Sequence, residues 1–497
     1  MRDREGRGGV LGPPRTARTS GIRWRALAAA VAVALLLVFR ADVPLNMDEF
    51  VSYQTLAAFT HPQSNENVFC SSNASFYLTL PGGPRLPLLT YDYIGSLSSL
   101  LYAPFFLLWR SPLSARLAGM VALLLQALIL GRFFRFKTGA VFCVLLLFLP
   151  YSFVHIADTG PVAFQTTSVF LVCFLLHRWL LSRRPGRRAG MMAAAGLTIA
   201  GGCWVKPTYF FVSAGLAATA LAVLALALRH FPRERGRRAA EYLLLLVCAA
   251  APALLVYQAH QADGSPYLPV LTPQFVPSQV VFAGLAGRFR ENVVHFVLHP
   301  LDATAPYFDV RPELPLWTAL TCALGGALVL GSLCARRASA RQRTEIVLNC
   351  GLFAVALLLV ATNIYAKSMH HAVLAYPFVI LAVARGLQRA AGPWLRGTLL
   401  LFVLVNGSLF LRFPSLLAAE RATGSNKVYV AELHDELSRN HADAVVACVD
   451  WGIYFVQALY GPPSQVVLSL CVRDDQRAQL LQAAAIARRL HRPLAIV

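Results

Sequence analysis

The stretch Asn46-Met47-Asp48-Glu49-Phe50 sets two carboxylates side by side, a few residues after the first strongly apolar run, Ala26–Phe39. Acids are scarce in this chain, 24 Asp and Glu against 45 Lys and Arg, so an adjacent pair at the edge of an apolar segment asks for a reason. Two readings stand. Asp48 and Glu49 can be solvated loop acids, or the cap of a helix that begins with Phe50-Val51-Ser52-Tyr53. They can also be functional, because ionisable groups at a membrane boundary are costly and mark sites of chemistry or transport. Neighbouring residues on a nascent helix project in different directions, so one carboxylate can face a pocket and the other a partner. A carboxylate so placed can take a proton from a hydroxyl.

Other polar residues fall at similar edges. Asp158, in Val154-His155-Ile156-Ala157-Asp158-Thr159-Gly160-Pro161, is either a second acid of the same kind or the cap of the helix that starts near Pro161. Lys206, in Trp204-Val205-Lys206-Pro207, is a lone cation between two apolar runs, and its plain reading is snorkelling to the interface. Arg85, Lys367, His370 and His371 add cationic or hydrogen-bonding groups. Together such groups suit an anionic phosphate in the headgroup zone with a neutral group to be activated beside it.

The elements that must position these residues are membrane helices. Of 497 residues, 57% are hydrophobic and 14% charged. Apolar runs recur at Val141–Phe153, Val162–Leu181, Leu197–Leu228, Tyr242–Val256, Leu316–Leu333, Ile346–Ala361 and Thr398–Leu411. Runs of this kind fit a hydrocarbon core of about 30 Å. The period-2 alternation of a spanning barrel is absent. The fold class expected is a polytopic α-helical membrane protein.

Basic residues cluster in alternate loops: 2–25, 132–137, 178–188, 229–238, 336–343 and 385–396 hold 27 of the 45. The positive-inside rule puts those loops in the cytoplasm. This distribution accounts for the net charge of +21 without nucleic acid. It also requires that Tyr93–Trp109, although apolar, does not cross, and it is read as an interfacial or re-entrant helix on the outer face. The expected layout is a basic cytoplasmic N-terminus (1–22), a transmembrane domain of eleven spans (23–412) with a long first outer loop (41–111), and an extracytoplasmic tail (413–497). Residues 2–39 read as a retained signal-anchor-like segment, because Arg40 and Asp42 follow where a cleavage site would stand.

The tail changes composition. Lys427–Leu433, Asp443–Asp450 and Ser464–Val472 read as strands, and Glu432–Asn440, Trp451–Tyr460 and Asp475–Leu490 as helices. Their alternation predicts a small α/β layer packed on the membrane part. Most of the ten cysteines sit in apolar runs as small hydrophobes, while Cys448 and Cys471 flank the tail strands and could pair in an oxidising compartment. No Walker loop, dinucleotide fingerprint, GxSxG or HExxH occurs, so nucleotide and protease chemistry lack residues.

In this order the motifs resemble the GT-C superfamily of membrane glycosyltransferases, in the branch of protein O-mannosyltransferases and the lipid A aminoarabinose transferase. Met47-Asp48-Glu49-Phe50 looks like that branch's acidic motif in the first outer loop. The segment from Arg85 to Gly119 is similar to its basic-Pro-Leu stretch, interfacial helix and following helix start. His155–Thr166 looks like the second acidic loop, Trp204–Phe211 like the lysine-bearing loop, Asp263–Pro269 like a Gly-Ser-Pro turn, and His370–Leu387 like a late Pro-bearing helix. The match runs from about Arg23 to Arg389. It departs at Ala157, where an Arg often precedes the Asp, at His370-His371 in place of Arg-Tyr, and over His61–Phe76.

The resemblance implies inverting transfer of a sugar from a polyprenyl-phosphate donor to an acceptor hydroxyl on a glycan, lipid or protein, at the outer face. Asp48 would be the base and Glu49 its support. Arg85, Lys206, Lys367, His370 and His371 would meet the donor phosphate. Metal use varies across the superfamily, so a divalent metal ion held by Asp48 and Asp158 is the one cofactor expected. The setting would be a bacterial inner membrane, with the endoplasmic reticulum as the alternative, where Asn73-Ala74-Ser75 would be a glycosylation sequon. A transporter or flippase of lipid-linked glycans would place polar groups near the midplane, and a non-catalytic membrane protein would need no acidic pair.

Overall fold

A computed structural model of the protein describes residues 53–56, 77–79, 85–87, 89–91, 94–134, 161–206, 209–262, 426–470 and 476–497, with short helical pieces between 287 and 405. Two small hairpins come first. β1 (Tyr77–Thr79) pairs antiparallel with β2 (Arg85–Pro87), and β3 (Leu89–Tyr91) with β4 (Ile94–Gly95). Pro87 closes β2, where a missing N–H is tolerated.

Six helices follow: α1 (Leu97–Leu108), α2 (Pro112–Phe134), α3 (Pro161–Leu181), α4 (Pro185–Val205), α5 (Tyr209–His230) and α6 (Arg235–Ala262). α2, α3 and α4 each start on a proline, whose fixed φ suits a first turn and whose missing N–H costs nothing there. Among the described residues one helix, Val162–Leu181, with mean hydropathy 1.3, is long and apolar enough to cross a membrane by length and composition; the bent pair Gly215–Arg229 and Pro232–Pro252, turned back at 117°, makes a second if counted as one span.

α4 is the hub. It packs against α3, α5, α6, α1 and β4. Its inner stripe is Met192, Ala195, Gly196, Ile199 and Ala200, mostly small residues that let neighbouring backbones approach. A Cβ added to Gly196 would lie 2.4 Å from the carbonyl oxygen of Leu245 on α6. Val169, Phe170, Leu176, Trp179, Tyr209 and Leu216 complete this core from α3 and α5.

The segment around 93–109 forms α1, twelve residues or about 18 Å long, short of a bilayer core. Its sidedness is inverted relative to a soluble helix. Ser98, Ser99, Tyr102 and Phe106 are buried, whereas Leu107 and Leu108 are 82% and 85% exposed. An exposed leucine stripe over a buried polar one suits a helix lying in an apolar medium.

Residues 426–470 and 476–497 form a compact α/β layer. The order along the chain is α7 (Asn426–Asn440), β5 (Val445–Cys448), α8 (Trp451–Tyr460), β6 (Val466–Ser469), α9 (Gln476–Leu490) and β7 (Leu494–Ile496). All pairings are parallel, with β5 in the middle of the order β6-β5-β7. Val445 and Ala447 pack on α9, and Val446 and Cys448 face α8, so both faces are covered. A strand buried on both sides reads as an unbroken apolar run, which Val445-Val446-Ala447-Cys448 is.

One element corrects the sequence reading. Lys427–Leu433, expected as a strand, is the first half of helix α7. Val428 and Val430 favour a strand locally. Burial of Val430 and Leu437, seven residues apart on one helical stripe, overrides that preference. β7 was absent from the expected strands, because three residues after Pro493 are too few to show alternation.

Candidate functional site

Of the residues singled out from the sequence, Asp48, Glu49, Asp158, Lys367, His370 and His371 lie outside the described residues. Arg85 begins β2, with Thr79 opposite it in register. Lys206 is the described centre of the candidate site. It is the C-cap of α4, its backbone turned to the extended conformation (φ −158°, ψ 132°), and it is only 7% exposed.

The chain is held firmly on both sides of Lys206. Its N–H donates to the Gly202 carbonyl at 3.3 Å, and its own carbonyl accepts from Tyr209 N–H at 3.0 Å. Gln165, on the first turns of α3, donates through Nε2 to the carbonyls of both Gly202 (3.1 Å) and Lys206 (2.9 Å). A single amide thus gives a second hydrogen bond to each of two carbonyls that already accept a backbone N–H. Oε1 of the same Gln165 is buried without a hydrogen-bond partner. Tyr209, hydrogen bonded to Ser168, lies flat against Gly202, where a Cβ would come within 2.4 Å of its ring.

β4 and α1 meet this corner. A Cβ on Gly95 would sit 1.6 Å from the Trp204 carbonyl oxygen, so only glycine lets β4 pass there. Leu97 reaches Gly201, and Ser96, Ser98 and Ser99 are fully buried in the adjoining first turn of α1. One turn further along the same buried stripe of α1, Tyr102 bonds to Ser114 of α2 and to Tyr460 of α8 (2.8 Å). Arg110 donates to the carbonyls of Gly461 (2.9 Å) and Leu459 (3.3 Å). Tyr53, fully buried, stacks on Tyr102 with ring centroids 4.0 Å apart.

The opposite end of α4 carries a second charged cluster. Arg188, Arg238 and Glu241 are buried there beside half-exposed Glu234. Arg188 pairs with Glu234 (2.9 Å) and Glu241 (3.1 Å), and Trp179 Nε1 donates to Glu241 at 2.7 Å. Arg238 lies over the rings of Phe231 and Trp179. With two cations and two anions in balance, this cluster ties the ends of α3, α4, α5 and α6. The described molecule therefore has two distinct poles about 30 Å apart along α4, which has 21 residues. Lys206, the α1 serines and the α/β layer stand at one, and the Arg188 cluster, within the basic loops, at the other.

Sequence reasoning missed Gln165, Tyr53, Tyr102, Tyr460 and the buried Arg116 near the start of α2. A glutamine and an arginine inside apolar runs were the available signals for two of them. Among the described residues no three His, Cys, Asp or Glu side chains gather as a metal site.

No family model matches the chain, and no curated protein matches it. Solved structures do. The apo oligosaccharyltransferase of Archaeoglobus fulgidus is 14% identical with a TM-score of 0.42, covering 90% of this chain and 65% of that one. ArnT from Cupriavidus metallidurans bound to undecaprenyl phosphate is 13% identical at 0.39, covering 96% and 90%. Arabinofuranosyltransferase AftD from Mycobacteria is 15% identical at 0.41, covering 90% and 33%. The chain thus spans about two thirds of the archaeal enzyme. At these identities and TM-scores the likeness assigns no residue a role. The superfamily resembled in sequence and the one these structures share are the same, the GT-C glycosyltransferases.

Proposed function

We propose that the protein is a polytopic membrane glycosyltransferase that moves a sugar from a polyprenyl-phosphate donor to an acceptor hydroxyl, with inversion, at the outer face of a bacterial inner membrane. The N-terminus would be cytoplasmic, the C-terminus periplasmic, and the spans eleven. The observation that carries this reading is Lys206. It is a buried lysine at the end of an apolar helix, its backbone carbonyl held by Gln165, at the pole opposite the basic loops and next to a helix that presents serines inward and leucines outward.

Asp48 takes the acceptor's hydroxyl proton. The acceptor oxygen bonds to the anomeric carbon from the face opposite the phosphate. The bond from that carbon to the phosphate oxygen breaks, and its electron pair leaves on the polyprenyl phosphate. Lys206, with Arg85, Lys367, His370 and His371, meets the charge that develops there, which is where fixed cations lower a barrier most. Glu49 orients the acceptor. If a divalent ion is used, Asp48 and Asp158 hold it. The acceptor is a glycan, lipid or protein, and the leucine stripe of α1 borders the donor's lipid tail.

The test measures transfer from a panel of labelled polyprenyl-phosphate sugars in membranes containing the intact chain. Asp48→Asn should lower transfer by roughly 10²–10⁴-fold. Lys206→Met should lower it by about 10²-fold. Full activity in the Asp48 variant would remove the base assignment. No transfer from any donor by the parent protein would remove the function.

A further inference from the structure

The α/β layer is joined to the first outer loop by more than covalent continuity. Tyr53, Leu56, Tyr102 and Phe106 belong to the same buried core as Val446, Ile453, Tyr454 and Tyr460. The polar contacts inside that core have a direction. Ser114 donates its hydroxyl proton to the Ser111 carbonyl at 2.7 Å. It must therefore accept from Tyr102. Tyr102, having spent its proton there, must accept from Tyr460 at 2.8 Å. The order is Tyr460 to Tyr102 to Ser114 to Ser111, one proton per link. Arg110 reinforces the joint by capping the last carbonyls of α8, the favourable end for a cation.

Tyr102 in turn holds Tyr53 by stacking, and the 3-10 turn Gln54–Leu56 packs against both α1 and α8. Tyr53 stands four residues after Glu49 and five after Asp48. A chain of that length spans at most roughly 14 and 18 Å. Anchoring Tyr53 therefore bounds where the two carboxylates can go.

We propose that the C-terminal α/β layer is a positioning element of the site: Tyr460 fixes Tyr102, Tyr102 fixes Tyr53, and Tyr53 is the anchor of the segment that carries Asp48 and Glu49. The importance of that anchor for turnover rests on the glycosyltransferase reading. The anchor itself does not, and the experiment separates the two.

Hydrogen exchange of the full-length protein in lipid nanodiscs is compared between the parent and Tyr460→Phe, which keeps the ring and removes the donor. Peptides covering 50–58 should exchange about fivefold faster while the amides of β5 and β6 keep their protection. Unchanged exchange at 50–58 overturns the proposal. If the tail loosens as well, Tyr102→Phe decides, since it breaks the same series from the α1 side: 50–58 must speed up with β5 and β6 quiet, or the proposal falls. In the transfer assay Tyr460→Phe should lower kcat several-fold with the donor KM unchanged, because the donor-phosphate cations are untouched. A parent protein that transfers no sugar, combined with the exchange change, would overturn the function and leave the anchor standing.

Discussion

Glu241 joins two buried groups on different helices. It accepts from Trp179 and pairs with Arg188, all three buried. Glu241→Gln would leave Arg188 and Arg238, both about 1% exposed, with only the partly exposed Glu234 as counter-charge. Breaking a buried pair in this way costs about 3–5 kcal/mol. The expected result is a clearly lower melting temperature in detergent, and an unchanged one would show that the cluster is dispensable. His434 gives a pH-dependent case. Burial pushes its pKa below the ordinary histidine value, against smaller upward pulls from the Gln457 hydrogen bond and Asp435. Gln457 donates its amide to Gln465, so its carbonyl oxygen accepts from His434 Nδ1–H, a bond that the neutral and the protonated ring both make, and it is burial that disfavours the charged ring. Below the unfolded pKa of about 6.5 the unfolded chain binds a proton that the folded ring resists, so stability falls as pH drops from there. Thermal melts between pH 7.5 and 5 should show this acid limb, and His434→Gln should flatten it. Lys206 stands out in the sequence because a lone cation interrupts an apolar run, and the structure adds its burial at the end of α4. Gln165 does not stand out, because one amide within Val162–Leu181 does not disturb the run's period.

At the scale of elements, the corner formed by β4, α1 and the end of α4 is the most tightly constrained. Gly95→Ala would drive a methyl into the Trp204 carbonyl. Overpacking of this kind costs 1–3 kcal/mol or more, and the obstacle is backbone rather than a flexible side chain. The variant should yield little monodisperse protein on size-exclusion chromatography; normal yield and melting would show that β4 can move aside. Sequence patterning anticipated α3 and the short helix α1 because long apolar runs suffice for them. It did not anticipate β1 to β4, since strands of two or three residues among prolines carry no readable alternation. In α7 the β-branched residues pointed locally to a strand, and contacts with a sheet formed later in the chain decided otherwise.

For the whole molecule, the two poles of α4 set the division of labour: charge balance at one, the candidate site and the α/β layer at the other. Because Tyr53, Tyr102 and Phe106 share a core with α7 and α8, ending the chain at 412 should expose that core. We expect such a truncation to aggregate or be degraded in membranes, whereas an independent appendage would come away without loss. The joint also has a consequence in time. Tyr460 follows Tyr102 by 358 residues. At synthesis rates of about 5–20 residues per second, that is roughly 20–70 s during which the first loop exists without its cover. β5 further needs β7, from the last residues of the layer, for its second neighbour. The corner around Tyr53 is thus made early and completed last, so a partly synthesised protein would hold α1 without the cover that α7 and α8 supply.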